Sequence, residues 1–278
     1  MNTYKMGAAG WILCTLVVLF LVAPLAVIGV LAFSGSKTLT FPPPSYSTRW
    51  FHDLTSDPQW TGSMGTSFRL ALTSTALGLL FGVPLALGLS RGKIGHFRAV
   101  QGIVAAPLIV PVVSTAIGFY FVSARLGVLD SLLPLIVAHV TFGLPLIVVT
   151  VLAADRGIDP WLEPAARTLG ASFGRTLLRV TLPLIAPGIA AGAVFAFLTS
   201  WDDIVNAVFL GTARVRPFPL KLWNEMQFTL SPVIAAAAVL MSAVSLSLVA
   251  VLAIAYRVRR NRMSRQVAEN IVLRAGGS

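Results

Sequence analysis

Residues 162–189, LEPAARTLGASFGRTLLRVTLPLIAPGI, decide the reading of this chain. The stretch is polar and helix-forming, about as long as two short helices, and it lies between two long apolar runs. A helix can begin near Asp159-Pro160, with Asp159 as cap and Pro160 in the first turn. Ala165, Ala166, Arg167, Thr168 and Leu169 continue it, and Gly170 ends it because glycine accepts a left-handed backbone. Ser172 can cap a second helix, to which Leu177, Leu178 and Leu182 give an apolar side. Pro183 marks the bend into the next run. A compact helical knob gives a partner something to grip, and an amphipathic helix laid in an apolar groove is a known recognition mode. The same residues also suit an amphipathic loop resting on a membrane surface.

Working outward, the flanking sequence is that of a membrane protein. Apolar residues make up 56% of the 278, charged residues 11%, and the mean hydropathy is +0.84. A soluble domain carries about 25% charged residues. A helical span needs about 20 mostly apolar residues to cross the hydrocarbon layer. The charge-free runs are Trp11–Phe33, Leu70–Ser90, Ala99–Ala124, Ser131–Ala154, Val180–Trp201 and Met226–Tyr256. They predict an all-α membrane protein forming one domain over 1–278, with six spans at about 11–33, 70–90, 99–124, 131–154, 184–205 and 230–256. The knob and its approaches, 155–183, join spans four and five. The first run is longer than a signal-peptide core, so it reads as an uncleaved helix.

Charge sets the orientation. With the N-terminus inside, fourteen of the 21 Lys and Arg fall on inner segments. They are Lys5; Arg91, Lys93 and Arg98; Arg156, Arg167, Arg175 and Arg179; and six arginines from Arg257 to Arg274. Lys37, Arg49, Arg69, Arg125, Arg214, Arg216 and Lys221 fall outside. The positive-inside rule places both termini and the 155–183 loop in the cytoplasm. The net charge of +11 follows from this topology and from anionic lipid at the inner surface, with no nucleic acid partner. Cys14 is the single cysteine, which excludes an internal disulfide or a cysteine metal cluster.

Pro107 and Pro111 should bend the third span, and Pro134 and Pro145 are candidates to bend the fourth. Trp50, Phe51 and Trp60 read as interface anchors. Asn206–Glu225 is too short and too broken to span, and reads as a half-inserted or outer-surface helix and loop.

Ala165, Ala166, Gly170, Val180, Leu182 and Pro183 fit a fixed spacing: Ala-Ala, three residues, Gly, nine residues, an aliphatic residue, any residue, Leu-Pro. The spacing resembles the cytoplasmic loop of permease subunits in ATP-binding-cassette (ABC) importers of the binding-protein-dependent, type I class. In that family a glutamate precedes the two alanines. Here Pro164 takes its place and Glu163 stands one residue earlier. The resemblance implies that Glu163, Ala165, Ala166, Gly170, Ala171 and Ser172 engage a separate ATPase dimer. It also implies a bacterial inner-membrane location, a second permease subunit (a different chain), and an external solute-binding protein. ATP and magnesium would lie on the ATPase, since this chain has no Gly-x-x-x-x-Gly-Lys-Ser/Thr loop and no cofactor of its own.

Asp202 and Asp203 follow Ser200-Trp201 at the predicted outer end of span five. Carboxylates at membrane depth usually face a protein interior or a water-filled path. A place at headgroup level fits them equally. Adjacent helical positions point about 100° apart, so one path is not expected to take both. With Leu198-Thr199 before them and Pro219-Leu220-Lys221-Leu222-Trp223 after, they resemble a segment of spermidine/putrescine-type permeases. That resemblance implies a small cationic substrate, with Asp202 and Asp203 attracting it by charge and Phe197 and Trp201 by cation–π contact. Trp223 reads as an anchor. The same branch of permeases also includes those for opines, aminoalkylphosphonates and ferric iron. His139 is expected to hydrogen-bond a neighbouring helix, and Glu225 reads as a gate or a surface residue. Two further classes compete. An ion-coupled carrier lacks an inverted repeat, and a membrane enzyme lacks a catalytic or metal cluster.

Overall fold

The computed structural model describes residues 7–92 and 97–275, which are helical apart from the loops that connect the helices and one isolated bridge between Ser34 and Tyr46. In chain order the helices are α1 (Ala8–Ala32), α2 (Arg49–Ser56), α3 (Pro58–Arg91), α4 (Phe97–Ile109), α5 (Val112–Arg125), α6 (Leu133–Arg156), α7 (Leu162–Thr168) and α8 (Phe173–Thr176). A π turn at Leu177–Thr181 leads into α9 (Leu182–Trp201), followed by α10 (Val205–Leu210), α11 (Phe218–Phe228) and α12 (Pro232–Ala275). Among the described residues five helices are long and apolar enough to cross a membrane, or six spans if the bent pair α4 and α5 counts as one.

That third span differs most from a straight helix. α4 and α5 meet at 94° across Val110-Pro111. Pro111 has no N–H for a helical bond and disfavours α backbone in the residue before it, so the helix stops and restarts. The bend expected from Pro111 is therefore a break. Pro107 and Pro145 are absorbed inside helices, and Pro134 sits in the first turn of α6. α9 ends at Trp201, inside the 184–205 expected for span five, and Asp203 accepts from the first two amides of the helix that follows. Asn206–Glu225 forms most of α10 and α11 with a loop between them.

The chain divides into two compact units: Met1–Ser63 with Lys221–Val244, and Met64–Leu220 with Ser245–Ser278. In the first, Trp50 Nε1 donates to the Ser34 carbonyl at 2.7 Å, and Phe33 and Phe51 rings lie 5.0 Å apart. Trp60 is buried, not placed as a surface anchor. Lys221 is buried as well. Its Nζ donates to Glu225 Oε1 at 2.5 Å and Gln59 Oε1 at 3.1 Å, and lies 5.1 Å from the Trp60 ring. Glu225 is thus ion-paired. The apolar window of α1 has no buried residue, and Cys14 is exposed on it.

The second unit is organised around α6 and α9. On α6, Leu135, Ala138, His139, Phe142, Gly143, Ile147, Val148, Val151 and Leu152 are buried, a stripe at three- and four-residue spacing. On α9, Ile185, Gly188, Gly192, Ala196, Phe197, Ser200 and Trp201 are buried. Glycines let the two backbones approach. A Cβ on Gly192 would lie 2.9 Å from Ile147 Cα, and one on Gly188 would lie 2.7 Å from the Thr150 carbonyl oxygen. Lipid supplies no hydrophobic drive between spans, so close van der Waals packing by small residues holds such pairs. Ala86, Leu87 and Leu89 of α3 join the cluster, with Val100 and Val104 of α4 against it. The termini's side of the membrane is a matter of charge alone. Of the inner charges, Lys5 and Lys93 lie outside the described residues, as does His96. The side chains of Arg98 and of the tail arginines beyond Arg257 also lie outside them.

Candidate functional site

Two places in the second unit gather polar side chains, one at the α7–α9 loop and one beyond the end of α9. The first helix and both caps form as the sequence predicts, with a later start, but the second helix is no separate one: α8 runs through the π turn into α9 as a single helix over Phe173–Trp201, with Pro183 inside it. Asp159 Oδ1 accepts from the Trp161 amide at 3.0 Å, and α7 begins at Leu162. Gly170 has φ +84°, the Gly170 amide donates to the Arg167 carbonyl, and the Ala171 amide donates to the Ala166 carbonyl. These are the two bonds of a Schellman motif, which satisfies helix-end carbonyls and requires a left-handed residue. Ser172 Oγ then accepts from the Arg175 amide at 3.4 Å and starts α8.

The knob presents apolar surface. Leu169 is 88% exposed and Trp161 74%, with Phe173 and Leu178 also exposed. The Arg167 guanidinium lies 5.4 Å from the Phe173 ring. Ala165, Gly170 and Ser172 are exposed, while Ala166 and Ala171 are half-buried. Glu163 is turned inward. Its Oε1 accepts from Arg91 Nη2 and from Thr181 Oγ1, both at 2.5 Å. Arg91 also lies 3.7 Å from Asp155 Oδ1, and Ser90 donates to Asp155. Arg91, Asp155 and Thr181 escaped sequence reasoning. They come from segments up to 72 residues away from Glu163, and no spacing rule links them.

The second place is a cavity of about 380 Å³ lined by residues of α5, α6, α9, α10 and the turn after α9, His139, Thr199, Asp202, Asp203 and Asn206 among them. The two aspartates differ sharply there. Asp203 Oδ1 accepts from the amides of Val205 and Asn206 at 3.0 and 3.2 Å, and Oδ2 accepts from Asn206 Nδ2 at 2.6 Å. An Asp bonding backbone two and three residues on is a turn-and-cap device. His139 Nε2 stands 3.0 Å from Asp203 Oδ2, at ion-pair distance but out of line for a hydrogen bond. His139 Nδ1 and Ser200 Oγ are 2.6 Å apart, so α6 does hydrogen-bond its neighbour. Asp202 is exposed, and among the described residues its carboxylate bonds no other residue.

Asn206 is 1% exposed. Its amide nitrogen must face Asp203, because an amide oxygen there would repel the carboxylate, so Oδ1 is left buried without a donor. A buried acceptor in that state is costly and calls for an explanation. The aromatic residues named with the aspartates sit elsewhere. Phe197 and Trp201 stack at 5.9 Å and 19°, both buried, and neither lines the cavity. Asn206 and Ser200 were missed as partners, although Asn206 lies three residues after Asp203 and so within capping range. Among the described residues no cluster of three or more His, Cys, Asp or Glu side chains could hold a metal.

Comparison with known proteins covers the segments that hold both places. The family model described as "Binding-protein-dependent transport system inner membrane component" matches residues 78–265. The putrescine transport system permease protein PotI of Escherichia coli K12 is 30% identical over 230 residues, 80% of this chain and 81% of the relative. The spermidine/putrescine transport system permease protein PotC of the same strain is 28% identical over 235 residues, 84% of this chain and 89% of that one. Two crystal structures share the fold. One is a bacterial ABC transporter involved in alginate import (TM-score 0.63, 18% identity, covering 94% of this chain and 99% of that one). The other is a bacterial alginate ABC transporter in complex with an alginate pentasaccharide-bound periplasmic protein (0.65, 21%, 87% and 91%).

Proposed function

Because the chain belongs to the family of binding-protein-dependent transport system inner membrane components and is a permease subunit of an ABC importer, we propose that it imports a small cationic amine of the putrescine and spermidine class. The observation that carries the substrate class is Asp202, whose carboxylate bonds no other residue among the described ones, in a cavity that Asn206 also lines. A primary ammonium brings both a positive charge and N–H donors to such a set. The likeness to PotI and PotC over most of the chain supports the same class. Asp203 is the strut of the site. It holds the start of α10 to α6 through His139 and leaves Asp202 to meet the solute.

The proposed unit is one permease domain over 1–278 in the bacterial inner membrane, with both ends and the α7–α9 loop in the cytoplasm. It pairs with a second permease, receives solute from an external binding protein, and rests on an ATPase dimer that holds ATP and magnesium. Leu169, Trp161 and Phe173 form the apolar side offered to that ATPase, with Ala165 and Gly170 allowing close approach. ATP-driven closure of the dimer displaces α7 and α8, the bundle opens outward, and hydrolysis resets it.

The test is uptake of labelled putrescine by the reconstituted complex with its binding protein. Wild-type uptake that vanishes without ATP supports the proposal. ATP-dependent uptake of an opine, an aminoalkylphosphonate or ferric iron with no uptake of putrescine overturns the substrate class and leaves the permease assignment intact.

A further inference from the structure

Glu163 stands one residue before the position where importer loops of this pattern carry a glutamate, and Pro164 fills that position. Its carboxylate is engaged inside the chain. Arg91, the last residue of α3, and Thr181, the last residue of the π turn before α9, both donate to Oε1 at 2.5 Å. The same guanidinium reaches Asp155 near the end of α6, and Asp155 also accepts from Ser90. One carboxylate thus joins α7 directly to the end of α3 and the root of α9, and through Arg91 to the end of α6. Isolated surface ion pairs contribute little. This one differs because Thr181 is buried, the side chains of Arg91 and Glu163 are only 31% and 24% exposed, and the bonds form a charge-assisted network.

On the permease reading above, we infer that Glu163 is a positioning residue that ties the knob to its own spans through Arg91 and Thr181 and does not dock the ATPase. A carboxylate held by two internal donors is poorly placed to receive a cation from another protein. The exposed face of the knob is apolar at Trp161, Leu169 and Phe173. Displacement of α7 therefore reaches α3, α6 and α9 together, through side chains and not only along the chain.

The test uses the whole complex in lipid: this chain, its partner permease, the ATPase pair and the binding protein. The variants are Glu163→Gln, Arg91→Met, both together, and the exchange Arg91→Glu with Glu163→Arg. Three quantities are read: ATPase retained per permease, ATP hydrolysed per putrescine taken up, and mobility of a spin label on Leu169→Cys in a Cys14→Ala background. Each single variant is expected to retain the ATPase, raise label mobility, and increase ATP hydrolysed per solute by roughly fivefold or more, the lower end of typical coupling between sites. The double variant should be no worse than either single one, since one interaction is lost once. The exchange restores the charge pair but sets a carboxylate at position 91 against Asp155 and leaves Thr181 without its acceptor, so it should recover part of the coupling and not all of it. Arg91→Lys, which keeps the charge, should fall between and replaces any variant that does not assemble.

The inference is overturned if Glu163→Gln sheds the ATPase while Arg91→Met behaves as wild type, if the two losses multiply, or if the label stays as immobile as in the parent. A parent complex that retains no ATPase refutes the permease reading itself, before any variant is compared.

Discussion

At the scale of single residues, the two adjacent aspartates divide a task that their sequence presents as one. Asp203 has four nitrogens around it, two of them backbone amides that begin α10. Asp202 has its charge and an opening. Asp203→Asn should therefore act on stability. It puts a neutral group before His139 and opposes one amide to another at Asn206, a loss of about 1–3 kcal/mol that a thermal shift in detergent would register. Asp202→Asn should leave the melting temperature alone and lower putrescine uptake by on the order of tenfold, about 1.4 kcal/mol of cation attraction. Equal uptake by Asp202→Asn and wild type would return Asp202 to the headgroup layer. The sequence singled out the pair but could not divide their contacts. His139 and Ser200 are 61 residues apart, and Ser200 stands on α9 itself, so only the crossing of α6 and α9 brings His139 to this corner.

At the scale of elements, the fold's decisions rest on a few backbone constraints. Gly170 is one. A Cβ there would meet nothing within 4 Å, so the requirement for glycine comes from φ +84° alone. Gly170→Ala should cost about 1 kcal/mol and Gly170→Asn less, whereas Gly170→Val should distort the knob. ATP hydrolysed per solute imported should be lowest for Gly170→Asn, higher for Gly170→Ala and highest for Gly170→Val. Equal coupling by Gly170→Trp and wild type would remove the loop from the coupling path. Gly192 is the opposite case, because its backbone is ordinary and its space is filled. Gly192→Ala should push α9 off Ile147 and Thr150 at about 1–3 kcal/mol, seen as a lower melting temperature. Several such features were legible: the knob's glycine and serine caps, a departure from a straight helix at Pro111, and the apolar runs. The end of α9 was not. Ile204 and Val205 are apolar and extend a hydropathy window, whereas the helix is ended by Asp203 capping the one that follows. The inward turn of Glu163 was equally hidden, because its partners lie on separate helices.

At the scale of the whole molecule, hydropathy and charge predict six crossings with both ends inside, and the helices support five crossings plus one broken pair. In a Cys14→Ala background, a cysteine at Leu169 should react with a membrane-impermeant maleimide only from the cytoplasmic side, and one at Lys37 only from the outside. Labelling of both from one side would invert or break the topology. The π turn at Leu177–Thr181 adds a freedom that rigid tilting does not have. It closes on the fifth residue and not the fourth, so it stores slack of about one residue at the root of α9. If that turn rewound to α geometry, everything before it would swivel by up to about 100° around the α9 axis. The joint is then a screw as well as a hinge, and a push from below has a twisting route upward.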